Sequence, residues 1–217
     1  MTLEEVSRIR EEDIYPALLG PVSRGIFPLS QKLFAERFRQ TDVSPNWLFY
    51  GAFEFAPTPA RGSWLYVTSG HSNPWWQQPQ DYDPQAESGA GVEFVFQSTE
   101  RGDWAVQTLN NMLAFDILLG AGRFPNAEPL KVGDRIPLRA PINGDPACVV
   151  RNLVLSAPEG IAEGFSLPSG KVSFASFTGI SDAERDFAKA AGSPRLIDDL
   201  RAAGHHPVTN PQRESLI

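Results

Sequence analysis

Trp64-Leu65-Tyr66-Val67-Thr68-Ser69 is the stretch on which the fold turns. Aromatic and β-branched residues fill it, and both alternating sets, Trp64/Tyr66 and Leu65/Val67, are largely apolar. A strand with one wet face alternates apolar with polar residues, so this strand is expected to be covered on both sides. Val92 to Gln97 reads as a further strand, with Val92, Phe94 and Phe96 on one face and Glu93, Val95 and Gln97 on the other. Between the two lies a long irregular segment, His71 to Ala90, carrying three prolines and the pair Trp75-Trp76. Upstream, the aromatic-rich run Trp47 to Phe55 is expected to be a strand with Trp47, Phe49, Phe53 and Phe55 on one face.

Helices frame these strands. Thr2-x-x-Glu5 is a capping box followed by Leu3, Val6 and Ile9 at helical spacing, and the helix it opens is expected to stop before Pro16. A short helix from Leu29 to Phe38 puts Leu29, Leu33 and Phe34 on one side. Ala105 to Leu119 is the clearest helix; Asp116 is its only charged residue, so most of its circumference should be buried, with Gly120 and Gly122 ending it. Residues 123 to 147 are proline-rich and loop-like, with a short strand near Ile136, and Val149 to Leu155 and Lys171 to Thr178 read as strands. Ser181-x-x-Glu184 is a second capping box for a helix ending at Gly192, and Ser193-Pro194 opens a last helix closing at Gly204. Strands and helices mix without strict alternation. The expected fold is therefore α+β: one domain with a central mixed, mostly antiparallel sheet flanked by helices.

A chain of 217 residues can bury a core without disulfides or metal. With a single cysteine, Cys148, it can form no intrachain disulfide, which suits a reducing compartment. The formal charge of −7 disfavours phosphate backbones and anionic lipid, so neither nucleic acid nor membrane is expected as a partner. The acidic start Met1-Thr2-Leu3-Glu4-Glu5 is neither a signal nor a transit peptide, and no apolar run is long enough to span a bilayer; a cytoplasmic location is expected.

Catalytic and metal signatures do not assemble. His205 and His206 are adjacent, so on an extended segment they point apart, and structural zinc needs spaced, convergent ligands. Cys148 lies in no protease signature, no G-x-S-x-G elbow occurs, and Ser169-Gly170-Lys171 and Gly89-Ala90-Gly91 fit no phosphate-binding loop. Asp198-Asp199 lacks the convergence of an acid–base couple. Neither catalysis, metal nor cofactor is expected. Trp75 and Trp76 stand out instead, because tryptophans in a loop are suited to binding hot spots. Glu93 is a charge within an apolar strand, suited to anchoring a polar network.

Several stretches taken in order resemble the suppressor of fused family. Trp64 to Asn73 looks like the family's strand with a Thr/Ser-x-Gly-x-Ser turn, and Gly91-Val92-Glu93-Phe94-Val95-Phe96 is similar to its "GxELTF" strand. Trp104 opens a helix where the family has a tryptophan-proline entry to "LxxLARYVF". Gly170 to Ser181 resembles "GxVxFLQxVGIT", and Val208 to Ser215 resembles the "(V/I)TDxxRxS" tail. His71 departs from the pattern, which is apolar there, and Asn210 stands where aspartate is usual. The resemblance covers residues 45–217 and implies a suppressor of fused-like domain, with 1–44 as an N-terminal helical segment packed upon it.

In animals the family's domain sits in a repressor of Hedgehog signalling whose second domain closes over a transcription-factor peptide. This chain has no room for that second domain, so such binding is not carried over. Short bacterial members, regarded as immunity proteins against toxins, are the nearer likeness. The resemblance implies Ser69, Gly70, Ser72, Glu93, Thr178 and Arg213 as site residues, to which Trp75 and Trp76 are added as a protein-binding element. The expected function is non-catalytic protein binding, with a toxin domain as partner. The rival expectation is a small-ligand-binding protein or unrecognised enzyme, with a pocket near Glu93 and Arg213.

Overall fold

The computed structural model describes residues 2–217; Met1 lies outside them. One nine-stranded sheet organises the chain, in the order β1-β2-β3-β4-β8-β6-β5, with β7 paired to β8 and β9 to β4. Its strands are β1 (Val22–Pro28), β2 (Gly51–Phe55), β3 (Trp64–Ser69), β4 (Glu87–Ser98), β5 (Arg135–Pro137), β6 (Asn152–Ser156), β7 (Gly164–Leu167), β8 (Gly170–Ile180) and β9 (Val208–Thr209). β4 runs parallel to β8 and β9; every other pair is antiparallel. The α+β architecture with a mixed, mostly antiparallel sheet is as the sequence led us to expect.

Both faces of the sheet are covered, as the apolar alternation of β3 requires. Tyr66, Phe94, Phe96 and Phe177 point to one side, where α4 (Asp103–Gly120) packs through Val106, Leu109 and Met112. Leu65, Val67, Val95 and Phe174 point to the other, beneath Tyr15 and Leu19 of the N-terminal segment. Each of these fully buried rings or branched chains contributes about 1.5–3 kcal/mol by leaving water. Glu93 shares the parity of Val95, so the strand's pleat turns it toward the N-terminal segment. α3 (Gln31–Phe38) packs on α4 through Phe34, against Leu113 and Ile117. α5 (Asp182–Ala191) and α6 (Ser193–Ala202) cover Val154 and Ile180.

Pro16 does not end the first helix. α1 (Leu3–Arg8), held by the Thr2/Glu5 capping box, runs into a π-helical turn, Ile9–Ile14, and then into α2 (Tyr15–Leu19). Pro16 stands in the first turn of α2, where its missing N–H costs little. The buried residues are Val6, Arg10, Tyr15 and Leu19. Their spacing of four, five and four carries one residue more between Arg10 and Tyr15 than an α-helix allows, and the π turn absorbs it.

Trp47 to Phe55 is likewise two elements. Pro45–Phe49 forms a 3₁₀ turn, and only Gly51–Phe55 is strand. Pro45 presets the helical φ of that turn, and Trp47 and Leu48 use it to reach the cluster around Phe34. β4 starts earlier than the apolar run, at Glu87, so it takes in the end of the long loop. Gly192, not Ser193, caps α6. The edge strand β1 and the short β7 and β9 have no apolar alternation strong enough to announce them.

Candidate functional site

The carboxylate of Glu93 is wholly buried, and its hydrogen bonds are supplied by the turn that follows β3. Its Oε1 accepts from the backbone N–H of Gly70 (3.1 Å), the N–H of Ser72 (2.9 Å) and the Ser72 hydroxyl (2.6 Å). Its Oε2 accepts from Thr68 Oγ1 (2.5 Å), which in turn accepts from the N–H of Phe94 (2.8 Å). Gly70 has φ +118°, a conformation that glycine alone adopts freely, and an added Cβ would meet the Tyr50 ring at 2.8 Å. Two amides of the turn, on either side of His71, can therefore converge on one oxygen.

Arg10 closes this network from the N-terminal helix. It is 1% exposed and donates from Nε to Ser69 Oγ (3.0 Å), and from Nη1 to Ser72 Oγ (3.0 Å) and Asn73 Oδ1 (2.7 Å). Its Nη2 donates to Glu11 Oε1 (3.1 Å), which also accepts from Ser69 Oγ. Burial alone would lower the Arg10 value, but the charges of Glu93, Tyr15 and Glu11 together hold it above its ordinary one. Tyr15 donates to Thr68 O (2.6 Å), and its hydroxyl is pushed well up, first by burial and then by Glu93. The arrangement fixes the turn Ser69–Asn73 and hence the start of the segment that carries Trp75 and Trp76. Every guanidinium nitrogen of Arg10 and both carboxylate oxygens of Glu93 are engaged within it, and its chemistry is that of a clamp.

Ser69, Gly70, Ser72 and Glu93 are thus brought together, whereas Thr178 and Arg213 belong to two separate hydrogen-bonded groups near the C-terminal tail. Arg213 Nη2 donates to Glu184 Oε2 (2.5 Å) and to Gly179 O (3.1 Å), and Nη1 to Glu184 Oε1 (2.6 Å). Burial would raise the Glu184 carboxyl; the hydrogen bonds from Arg213, and from the N–H groups of Leu216 and Ser181, outweigh it and hold it low. Thr178 Oγ1 lies 2.9 Å from His206 Nδ1, and His206 Nε2 lies 3.1 Å from Glu159. Asn210 keeps a turn-capping role, its Oδ1 accepting from the Gln212 N–H at 2.9 Å, and the carboxylate for Arg213 comes from Glu184 instead.

The histidines sit at separate places. His71 lies with Nε2 3.3 Å from Asp116 Oδ2, His206 is held as above, and His205 is tied by its N–H to Leu200 O. Among the described residues no group of three or more His, Cys, Asp or Glu could hold a metal ion. A groove of about 780 Å³ runs between α3 and α4 beside Leu138 and Ile142, and one of about 420 Å³ lies by Arg61 and Gln97. Glu93 and Arg213 line neither of these grooves and do not share a network.

Trp75 and Trp76 differ. Trp75 is half-buried, stacked on Tyr50 with ring centroids 6.4 Å apart and planes at 10°, and 6.3 Å from Phe49. Trp76 is 92% exposed and Phe49 69%. Trp75 roots Phe49 in the cluster that includes Tyr50, Leu113 and Ile117, and Trp76 follows it in the chain with its ring in solvent. Sequence reasoning missed Phe49, assigned to a strand face, and Arg10, which looks like any surface arginine of a helix. The four-residue step from Val6 to Arg10 was the available signal for the latter.

The sequence model of the family described as Suppressor of fused protein matches residues 49–214. The chain belongs to the suppressor of fused family. Solved suppressor of fused structures share its fold. The chain covers 98% of itself and 90% of a chain in the Sufu-Fu complex, at 17% identity and a TM-score of 0.66. Against Drosophila Suppressor of Fused, 76% of this chain matches at 19% identity and a TM-score of 0.58. It spans only 42% of the length of that structure. A suppressor of fused homologue from Neisseria gonorrhoeae FA 1090 matches 77% of this chain and 78% of its own, at 18% identity and a TM-score of 0.54. No curated protein sequence matches the chain. Among the described residues, no helix of this suppressor of fused domain is long and apolar enough to cross a membrane.

Proposed function

We propose that this suppressor of fused domain is a non-catalytic, protein-binding module of the cytoplasm. The observation that carries this reading is the exposed rings of Phe49 and Trp76 on either side of Trp75, which stacks on Tyr50, in a loop whose start is held by the Arg10–Glu93 clamp. A patch of exposed rings already rooted in the core loses little entropy on docking, which is what a binding hot spot requires. The Sufu-Fu complex is a precedent for a family member with a protein partner. The specific form of the proposal is an immunity protein that occupies the active surface of a toxin.

The test is capture with the purified domain from toxin-producing cells, followed by co-expression of any captured toxin with the domain. The proposal expects a partner that is lost with Phe49→Ser/Trp76→Ala and whose toxicity the intact domain relieves. A partner without toxicity would remove the immunity role and leave protein binding. Turnover of a substrate by the purified chain would overturn the whole reading.

A further inference from the structure

The stretch of chain that carries Trp76 bears charge of one sign. Between Arg61 and Arg101 the chain has no lysine or arginine, yet it has Asp81, Asp83, Glu87, Glu93 and Glu100. Glu93 is consumed inside the clamp, but Asp81, Asp83 and Glu87 are exposed on the same loop as Trp76. No ion pair engages these three among the described residues, whereas Glu159, Asp186 and Asp198 are each paired with arginine or lysine. Lys171 stands opposite Glu87 in the β4–β8 ladder and forms no ion pair with it. The loop is also held in shape beneath the patch. Gln77, next to Trp76, donates to Glu87 O (3.3 Å) and Ser169 O (3.4 Å) and accepts from the Gly89 N–H (3.3 Å). Glu87 and Trp76 are thereby kept in one neighbourhood.

We infer that the Trp76 patch docks an arginine-bearing segment of a partner protein, the guanidinium stacking on Trp76 while Asp81, Asp83 and Glu87 supply the countercharge. This rests on the protein-binding reading and names the partner's chemistry. An indole face attracts a cation through its quadrupole, and arginine adds planar stacking that lysine lacks. Unpaired carboxylates beside an exposed indole attract a cation without first breaking an internal ion pair. An acidic or phosphorylated partner would meet repulsion here instead.

The experiment titrates a capped peptide of alternating glycine and arginine into the whole chain, with the peptide's citrulline counterpart as a neutral isostere. Calorimetry reads the affinity at about 20 and about 300 mM salt, over which range the Debye length falls several-fold. The arginine peptide should bind, weaken at high salt, and lose about tenfold or more in affinity, some 1.4 kcal/mol per factor of ten, with W76A and with D81N/D83N/E87Q. The indole Nε1–H signal of Trp76 should shift with the arginine peptide alone. The control neutralisation E4Q/E12Q/D42N should leave the affinity within about twofold. W76F, which keeps a ring, should retain part of the affinity and separates loss of the cation site from loss of the fold. Equal binding of the citrulline peptide, equal loss in the control variant, or no binding of the arginine peptide would each overturn the inference. If Trp76-dependent capture of a partner survives any of these results, protein binding stands and only the arginine specificity falls.

Discussion

Arg10 and Glu93 lie 3.9 Å apart (Nη1 to Oε1), both withdrawn from solvent, with the Ser72 hydroxyl accepting from one and donating to the other. A helix that the family's sequence pattern does not reach is thereby locked to the turn that launches the aromatic loop. Removing Arg10 leaves the buried Glu93 carboxylate without a countercharge. Arg10→Leu is expected to destabilise the fold by about 3–5 kcal/mol in urea denaturation. Arg10→Leu with Glu93→Gln should recover part of that loss, because the second change removes the orphaned carboxylate; a coupling energy near zero would mean that the two charges do not interact.

Trp75 and Trp76 should separate stability from recognition. Trp76 is 92% exposed, so Trp76→Ala is expected to change stability by no more than about 0.5 kcal/mol. Trp75 is stacked on Tyr50 and half-buried, so Trp75→Ala should cost about 1–2 kcal/mol. Thermal melts of the two variants check this, and both should lose the captured partner.

The acid limb of the stability curve should report the tail. Glu184 is held below its ordinary value in the folded chain, so the unfolded chain takes up that proton at a higher pH. Its contribution is complete above the unfolded value of about 4.3 and is lost as the pH falls through the lower folded value. Glu184→Gln leaves the guanidinium of Arg213 buried without its countercharge and should cost about 3–5 kcal/mol at neutral pH. The gap to the unaltered protein should narrow below about pH 4. A gap independent of pH would show that the carboxylate's charge is not what ties the tail.

His71 and Asp116 form a third buried pair, at 3.3 Å, joining the aromatic loop to α4. Burial pushes the Asp116 carboxyl up, and His71 and the Leu130 N–H counter it in part. His71→Leu restores the apolar residue usual in the family but strands Asp116, so it should destabilise. His71→Leu/Asp116→Leu should be less harmful than the two single changes summed, with a coupling energy of about 0.5–3 kcal/mol from denaturant melts.

Reading the chain residue by residue found the elements whose pattern is local. The doubly apolar β3, the capping boxes at Thr2 and Ser181, and the uncharged face of α4 each follow from spacing alone. The split of Trp47–Phe55 did not, because aromatic residues serve a 3₁₀ turn packed on α3 as well as they serve a strand. Nor did the passage of the first helix through Pro16, which depends on a π turn set by what Arg10 and Tyr15 must reach.

Taken alone, the sequence determined an α+β sheet covered on both sides, an acidic chain, and membership of the suppressor of fused family, because periodicity, charge and motif order are written in neighbouring letters. Only the tertiary structure decided that Glu93 is spent inside a clamp with Arg10, that Thr178 and Arg213 stand apart from it, and that Phe49 packs beside Trp75 at the surface. Burial and pairing between distant segments belong to three-dimensional packing: a charge or a ring has the same letter whether a helix from the other end of the chain covers it or not.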